Sequence, residues 1–468
     1  MATGTIQKTI NLFKNALEGF NANISLIQLE KLAIMVHRAM TAQARSFHTP
    51  EHIFDLTDGA NPLLALAALF HDIVYYQVDD GFTPEIHEIL TPYILEETGR
   101  LSIRPEAAAD PLLALTLAVF GFEPGQTLLP TKGLNEFLSA VVMNKKLEGI
   151  IGVTDLIKAT ACIEATIPFR RSATPQESPQ YILEQRLIAI NAQQQWDMPL
   201  AEIRETVKWA AIFANKDVAN FSEEDTGKFL DNTWKLIPET NPSLRMRGVY
   251  SIRSYREALQ KMEGFLRFLD PDDIYESYRG APPEGEYQRM VALAFRNVYT
   301  GREYLAIKLL SAALVEALAN ITGGDAPVAL LIGEMEGDEN NSSLEDLLPD
   351  IDVSPQAKVG STLFGLLAFG RSSASSFDMQ NSPLALFIYK CLGADNVKLY
   401  LNIAREMFDG NLEPRAFLDQ LPVELIVPIA RACAVLAITR SAALNEYAAA
   451  RERMAATTAE AAEDAEKG

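Results

Sequence analysis

The residues best placed to do chemistry lie in one stretch, Phe47–Tyr76, FHTPEHIFDLTDGANPLLALAALFHDIVYY. It contains His48, His52 and His71; the other two histidines of the chain, His37 and His87, flank it, and none lies beyond His87. His71 is followed directly by Asp72, inside a run that is otherwise apolar. A carboxylate in such surroundings is costly to bury unless it is paired or bound to a metal. Imidazole nitrogen together with carboxylate oxygen suits a divalent ion that keeps positions open for water or substrate. Asp72 therefore needs a partner, and the histidines upstream, His52 and His48, are the candidates.

Two helix starts position these groups. Thr49-Pro50-Glu51 reads as a cap, a proline at the first helical position and an acidic first turn, which opens a helix to about Asp58 with His52 near its start. Asn61-Pro62 repeats the signal. The helix it opens, from Leu63 to about Tyr76, is apolar on every side and so should be buried, with His71 and Asp72 in its middle. Neighbouring helical positions point about 100° apart, yet both side chains can reach one ion beside the helix. A histidine from the preceding helix would then complete a facial set.

His52, followed by His71-Asp72 at the end of an Ala/Leu-rich run, resembles the HD superfamily of metal-dependent phosphohydrolases, whose pattern is H…HD…D in an all-helical fold. The wording F-H-x-x-x-H-I and L-F-H-D-I-V-Y is similar to the branch known as predicted metal-dependent HD phosphohydrolases. The resemblance implies a further aspartate ligand far downstream. Its best match is A-N-K-D-V-A-N-F, residues 214 to 221, which nominates Asp217, with Asp155 in G-V-T-D-L as runner-up. Asp217 sits beside the apolar stripe Val207, Ala210, Ala211, Ala214 and Val218 of a helix that starts at Pro199, a placement compatible with an inward-facing ligand.

The chain departs from the pattern in three places. Asp217 is further from Asp72 than in compact HD domains, Asn215 stands where relatives often have an aspartate, and Phe169 stands where a similar family helix ends in histidine. The last argues against a second metal, unless His48 or His87 supplies it. Acidic residues shortly after the HD pair orient water in some HD hydrolases, which nominates Asp79 and Asp80; a solvated turn is the alternative. Glu164 could shuttle a proton and Arg170 and Arg171 could clamp a phosphate. Equally, the two arginines could simply complement a helix C-terminus.

At 468 residues with 48% hydrophobic residues, the chain can bury a large core. A net charge of −21 argues against a general nucleic-acid binder but not against a small phosphorylated ligand. Cys162, Cys391 and Cys433 form neither a disulfide framework nor a zinc ribbon, and the amphipathic start MATGTIQKTINLFK lacks the apolar core of a signal peptide. Leu421–Thr439 is broken by Glu424, Pro428 and Arg431, so it reads as a buried helix and not a membrane span. A cytoplasmic protein is expected. No phosphate loop, dinucleotide fingerprint, nucleophile elbow or H-E-x-x-H pair is present.

The expected fold is all-α. An HD-type domain with an insertion spans residues 1–231, a second all-helical region spans 232–454, and 455–468 form an unstructured tail. The insertion is expected as helices, the first from Glu85 to about Thr98, and the acidic stretch 334–354 as a linker. Four arginines between Leu244 and Arg256 could hold an anion or face acidic neighbours. The leading expectation is a phosphohydrolase with one divalent metal (Mn, Fe, Co, Ni or Mg) on His52, His71, Asp72 and Asp217, with His48 as a further donor. Its substrate would be a nucleotide or another small phosphoester, and the C-terminal region could bring together a homo-oligomer or bind a protein partner. The alternatives are an HD-derived nucleotide sensor without turnover and a di-iron oxygenase on the same scaffold.

Overall fold

Prolines at the first helical position and side-chain caps set many of the helix starts. Pro50, Pro62, Pro84, Pro111 and Pro179 all open helices, and Ser25, Asn61, Asp110 and Ser178 accept backbone N–H bonds at such starts. The computed structural model describes residues 4–170, 172, 174–246, 250–333, 344–375 and 377–467. The protein is all-α: its one sheet among the described residues is a two-stranded hairpin. The chain forms two compact units. The first comprises Met1–Glu223 and Leu269–Phe295, the second Glu224–Phe268 and Arg296–Gly468.

In the first unit the helices are α1 Thr5–Gly19, α2 Leu26–Met40, α3 Pro50–Thr57, α4 Pro62–Phe70, α5 Tyr76–Asp79, α6 Pro84–Leu90, α7 Pro111–Phe120, α8 Leu134–Leu147, α9 Val153–Ala165, α10 Pro179–Gln194 and α11 Leu200–Asp217. Helix α9 packs against α4, α7, α8 and α11, and α1 lies on α2 and α4. Every residue of α4 from Leu64 to Phe70 is buried, as an all-round apolar helix requires, and Phe70 meets Phe13 edge-on at 5.6 Å.

Two expectations here are corrected. Helix α4 does not run to Tyr76; it ends at Phe70, so His71 closes the helix and Asp72 lies in the turn beyond. The helix can stop there because side chains from elsewhere take over the backbone groups. Arg45 Nη1 donates to the Asp72 carbonyl (2.7 Å), and Val74 N–H donates to Ser139 Oγ and Tyr76 N–H to Asn135 Oδ1 (3.1 Å each). The expected helix from Glu85 to Thr98 is α6 followed by an antiparallel hairpin, β1 Ile94–Glu97 and β2 Arg100–Ile103. Thr98 and Gly99, both at positive φ (49° and 75°), form its two-residue turn, a connection that matches strand twist and that Gly adopts without strain.

Segment 269–295, which lies beyond the expected boundary at 231, belongs to the first unit. Asn215 Nδ2 donates to the Glu276 carbonyl at 2.8 Å, Tyr275 OH to the Val218 carbonyl at 3.2 Å, and Tyr278 OH to Glu184 at 2.6 Å.

The second unit contains α12 Thr226–Thr240, α13 Ile252–Phe268, most of α14 Glu284–Thr322, and then α15 Val328–Ile332, α16 Thr362–Phe369, α17 Pro383–Phe408, α18 Pro414–Asp419, α19 Val423–Leu436 and α20 Ser441–Lys467. Helix α14 alone among the described residues is long and apolar enough to cross a membrane by length and composition, but 78% of that window is buried inside the protein. A buried ion network ties this unit together. Asp378 accepts from Lys308 Nζ (2.9 Å) and Trp234 Nε1 (2.8 Å), and Arg371 stacks on the Trp234 ring at 4.3 Å.

The arginine-rich segment faces acidic and backbone partners: Arg245 donates to the Glu239 carbonyl, and Arg253 and Arg256 both reach Glu316. Arg247 lies outside the described residues, as do residues 334–343 of the expected linker. Helix α20 continues to Lys467 through the stretch expected as an unstructured tail, because Ala and Glu are strong helix formers.

Candidate metal centre

Each donor sits at the end of an element or in the turn next to one. His52 is in the first turn of α3, His71 caps the C-terminus of α4 with its N–H on the Ala67 carbonyl, Asp72 follows it, and Asp217 is the last residue of α11. Side chains there can converge on a point that no continuous helix crosses. His71 Nε2 lies 2.9 Å from Asp72 Oδ2 and 3.2 Å from Asp217 Oδ1. His52 Nε2 lies 3.0 Å from Asp217 Oδ1 and 3.7 Å from Asp72 Oδ2. All four donor atoms fall within 4.8 Å of one another. With metal–ligand bonds of about 2.0–2.2 Å, two ligands at right angles stand about 3 Å apart. The shorter separations match that spacing.

His71 supplies the test of fit. Its ring is buried, and Nδ1 donates to the Ala68 carbonyl at 3.0 Å, so the lone pair of the neutral ring is on Nε2. Although Nε2 is close to two carboxylate oxygens, neither contact has hydrogen-bond geometry, and the atom is buried without a hydrogen-bond partner. A buried acceptor aimed between two carboxylates fits a cation rather than a protein donor. Edge-on contact with Phe213 (5.7 Å) fixes the ring from the other side.

Without a cation, the charge balance of the pocket falls to His71 itself. Burial alone would lower the His71 pKa, but the Asp72 and Asp217 charges outweigh it and raise it well above the usual value. Burial would likewise raise both aspartates; instead His71, with His48 and His52, holds Asp72 far below the carboxylate range, and His71 and His52 hold Asp217 at about 2. The pocket without a cation thus sets two ionised carboxylates around a protonated His71, and a cation bound there would take the place of the proton on Nε2.

No family model, curated protein or solved structure matches the chain. The likeness to HD proteins rests on His52, His71, Asp72 and Asp217 and their order along the chain.

The remaining nominated residues fall into different places. His48 Nε2 stands 4.0 Å from Asp72 Oδ2, at the margin of the cluster, with its ring edge-on to Phe47 and Tyr75. Asp79 does not face the donors: Arg45 holds it through Nε (2.9 Å) and Nη2 (2.6 Å), and the same guanidinium holds the Asp72 carbonyl. Asp80 is exposed, in the left-handed conformation at the end of α5. Glu164 is buried and paired with Arg170 (2.7 Å) and Arg186 (3.2 Å), which makes Arg170 its partner and leaves Arg170 Nε buried without a hydrogen bond. Arg171 lies outside the described residues. The runner-up Asp155 pairs with Lys158 at 3.4 Å, His37 bonds Thr5, and His87 bonds Thr91; none joins the four donors. Phe169 stacks edge-on against Phe221 at 5.7 Å.

The sequence reading passed over Arg45, Asn135, Glu136 and Ser139. Arg45 carries no local signal, since what marks it is complete burial beside Asp79. Glu136 stands in the first turn of α8, where an acidic residue is ordinary helix chemistry.

Proposed function

We propose that the chain is a divalent-metal-dependent hydrolase that cleaves a phosphoester bond in a nucleotide or another small phosphorylated molecule. The observation that carries this reading is the His71 ring, with Nδ1 tied to Ala68 and a buried, unbonded Nε2 between the carboxylates of Asp72 and Asp217. His52, His71, Asp72 and Asp217 would hold the ion, and Mn, Fe, Co, Ni and Mg all suit a mixed nitrogen and carboxylate set. When bound, such a cation supplies Lewis acidity and lowers the pKa of water. The residues around it position the donors: Ala68 orients the His71 ring, and Arg45 fixes the turn that carries Asp72. The acidic balance of the chain favours a small ligand over a polyanion.

The experiment is metal content by mass spectrometry for wild type and Asp72→Ala, followed by phosphate release from a panel of nucleotides and phosphoesters with Mn and Mg. About one metal per chain, lost in the variant, with phosphate released, is the expected result. Metal without turnover would instead favour a nucleotide-sensing protein, two irons an oxygenase, and no metal after reconstitution would sink the site.

A further inference from the structure

Beside the four donors lies a carboxyl group that the reading above leaves unused. Helix α8 presents Asn135 and Ser139 to the turn after Asp72, where they accept from the N–H groups of Tyr76 and Val74. Glu136 is three residues before Ser139, so the helix directs it to the side that carries Ser139. Its Oε2 is buried with no hydrogen-bond partner, and the side chain is within electrostatic reach of Asp72, Asp217 and Arg170. A buried carboxyl oxygen with no protein donor beside a metal centre is placed to exchange a proton with a ligand.

We infer that Glu136 is the general acid of this site, giving its proton to the leaving oxygen of the phosphoester. The inference rests on the hydrolase reading. As water forms the new bond to phosphorus and the bond from phosphorus to the leaving oxygen breaks, that oxygen departs as an alcohol with the Glu136 proton, and the proton released by the water restores the carboxyl. Burial favours the protonated form of the Glu136 carboxyl. The substrate class is one whose leaving group is an alkoxide, such as a sugar hydroxyl, which cannot depart unprotonated.

The test compares metal-loaded wild type and Glu136→Gln on an alkyl phosphate and on 4-nitrophenyl phosphate, whose leaving group needs no proton. The variant should lose about a hundredfold or more in kcat on the alkyl ester and less than about tenfold on the aryl ester, with metal content unchanged. Equal losses on both, or none, overturn the inference. An infrared spectrum of the metal-loaded protein at neutral pH decides separately from turnover: a protonated-carboxyl band should be present in wild type and vanish in Glu136→Gln. If wild type lacks that band, Glu136 is not the acid even where phosphate is released. If the band is present and no ester is cleaved, the hydrolase reading fails and the general-acid role fails with it, while the proton on Glu136 stands.

Discussion

Arg45→Met tests whether the turn carrying Asp72 is held from outside the helix. Methionine keeps much of the apolar stem and removes the guanidinium, so two groups lose their partner at once: the Asp79 carboxylate and the Asp72 carbonyl. Deleting one member of a buried ion pair costs about 3–5 kcal/mol, and orphaning a buried carbonyl about 1–3 kcal/mol. Because the Asp79 side chain is 15% exposed, the low end of the first range applies, and the sum is about 4–6 kcal/mol. Domains are stable by about 5–15 kcal/mol, so this is a large share. At about 2–4 °C per kcal/mol, the melting of the first unit should fall by roughly 10–20 °C. Calorimetry on wild type, Arg45→Met and Arg45→Met/Asp79→Leu measures it. The double variant leaves no buried unpaired carboxylate and should recover a large part of the loss. A fall of less than about 3 °C, or a double variant no more stable than the single, would refute the account.

Other outcomes follow from the same geometry. His71→Gln and Asp217→Asn should abolish stoichiometric metal in the purified protein, whereas His48→Gln should weaken metal affinity only about 10–100-fold; metal titrations separate them. Glu164→Gln should act on stability, by about 3 kcal/mol, because it leaves Arg170 and Arg186 without their buried partner; urea unfolding reads the loss, and retained metal binding sets it apart from a ligand mutation. In the second unit, burial would raise the Asp378 pKa, but Lys308 and Arg371 outweigh it and hold it below the ordinary carboxylate value. A depressed carboxylate contributes stability that is complete above its unfolded pKa of about 3.9 and is lost as pH falls through its folded value. Asp378→Asn should therefore be less stable than wild type at neutral pH, with the gap closing below about pH 4; melting curves across pH check it.

The helical character and much of the His/Asp cluster were legible because they are local. Proline and cap residues announce α3 and α4 within a few positions, and an apolar segment with His and Asp at its end can be read without knowing its neighbours. What was hidden depends on distant partners. The end of α4 at Phe70 is set by Arg45, Asn135 and Ser139, none adjacent in sequence. The hairpin after α6 was obscured because Ile94-Leu95 and Leu101-Ile103 also suit a helix, and the positive φ of Thr98 and Gly99 decides the matter. Asp79 and Glu164 were nominated from the sequence to orient water and to shuttle a proton, and packing against Arg45, and against Arg170 and Arg186, pairs them instead. Composition carries no such information.

The return of residues 269–295 to the first unit bears on how that unit can be made. During synthesis Asp217 emerges well before Tyr275, Glu276 and Tyr278, so the end of α11 waits for its partners until part of the second unit has been produced. A fragment that stops near residue 231 would contain all four donors yet lack the groups that bind Asn215 and Val218, the neighbours of Asp217 on either side. The first unit is discontinuous in sequence, and a single cut between the units would leave the helix end that carries Asp217 unsupported.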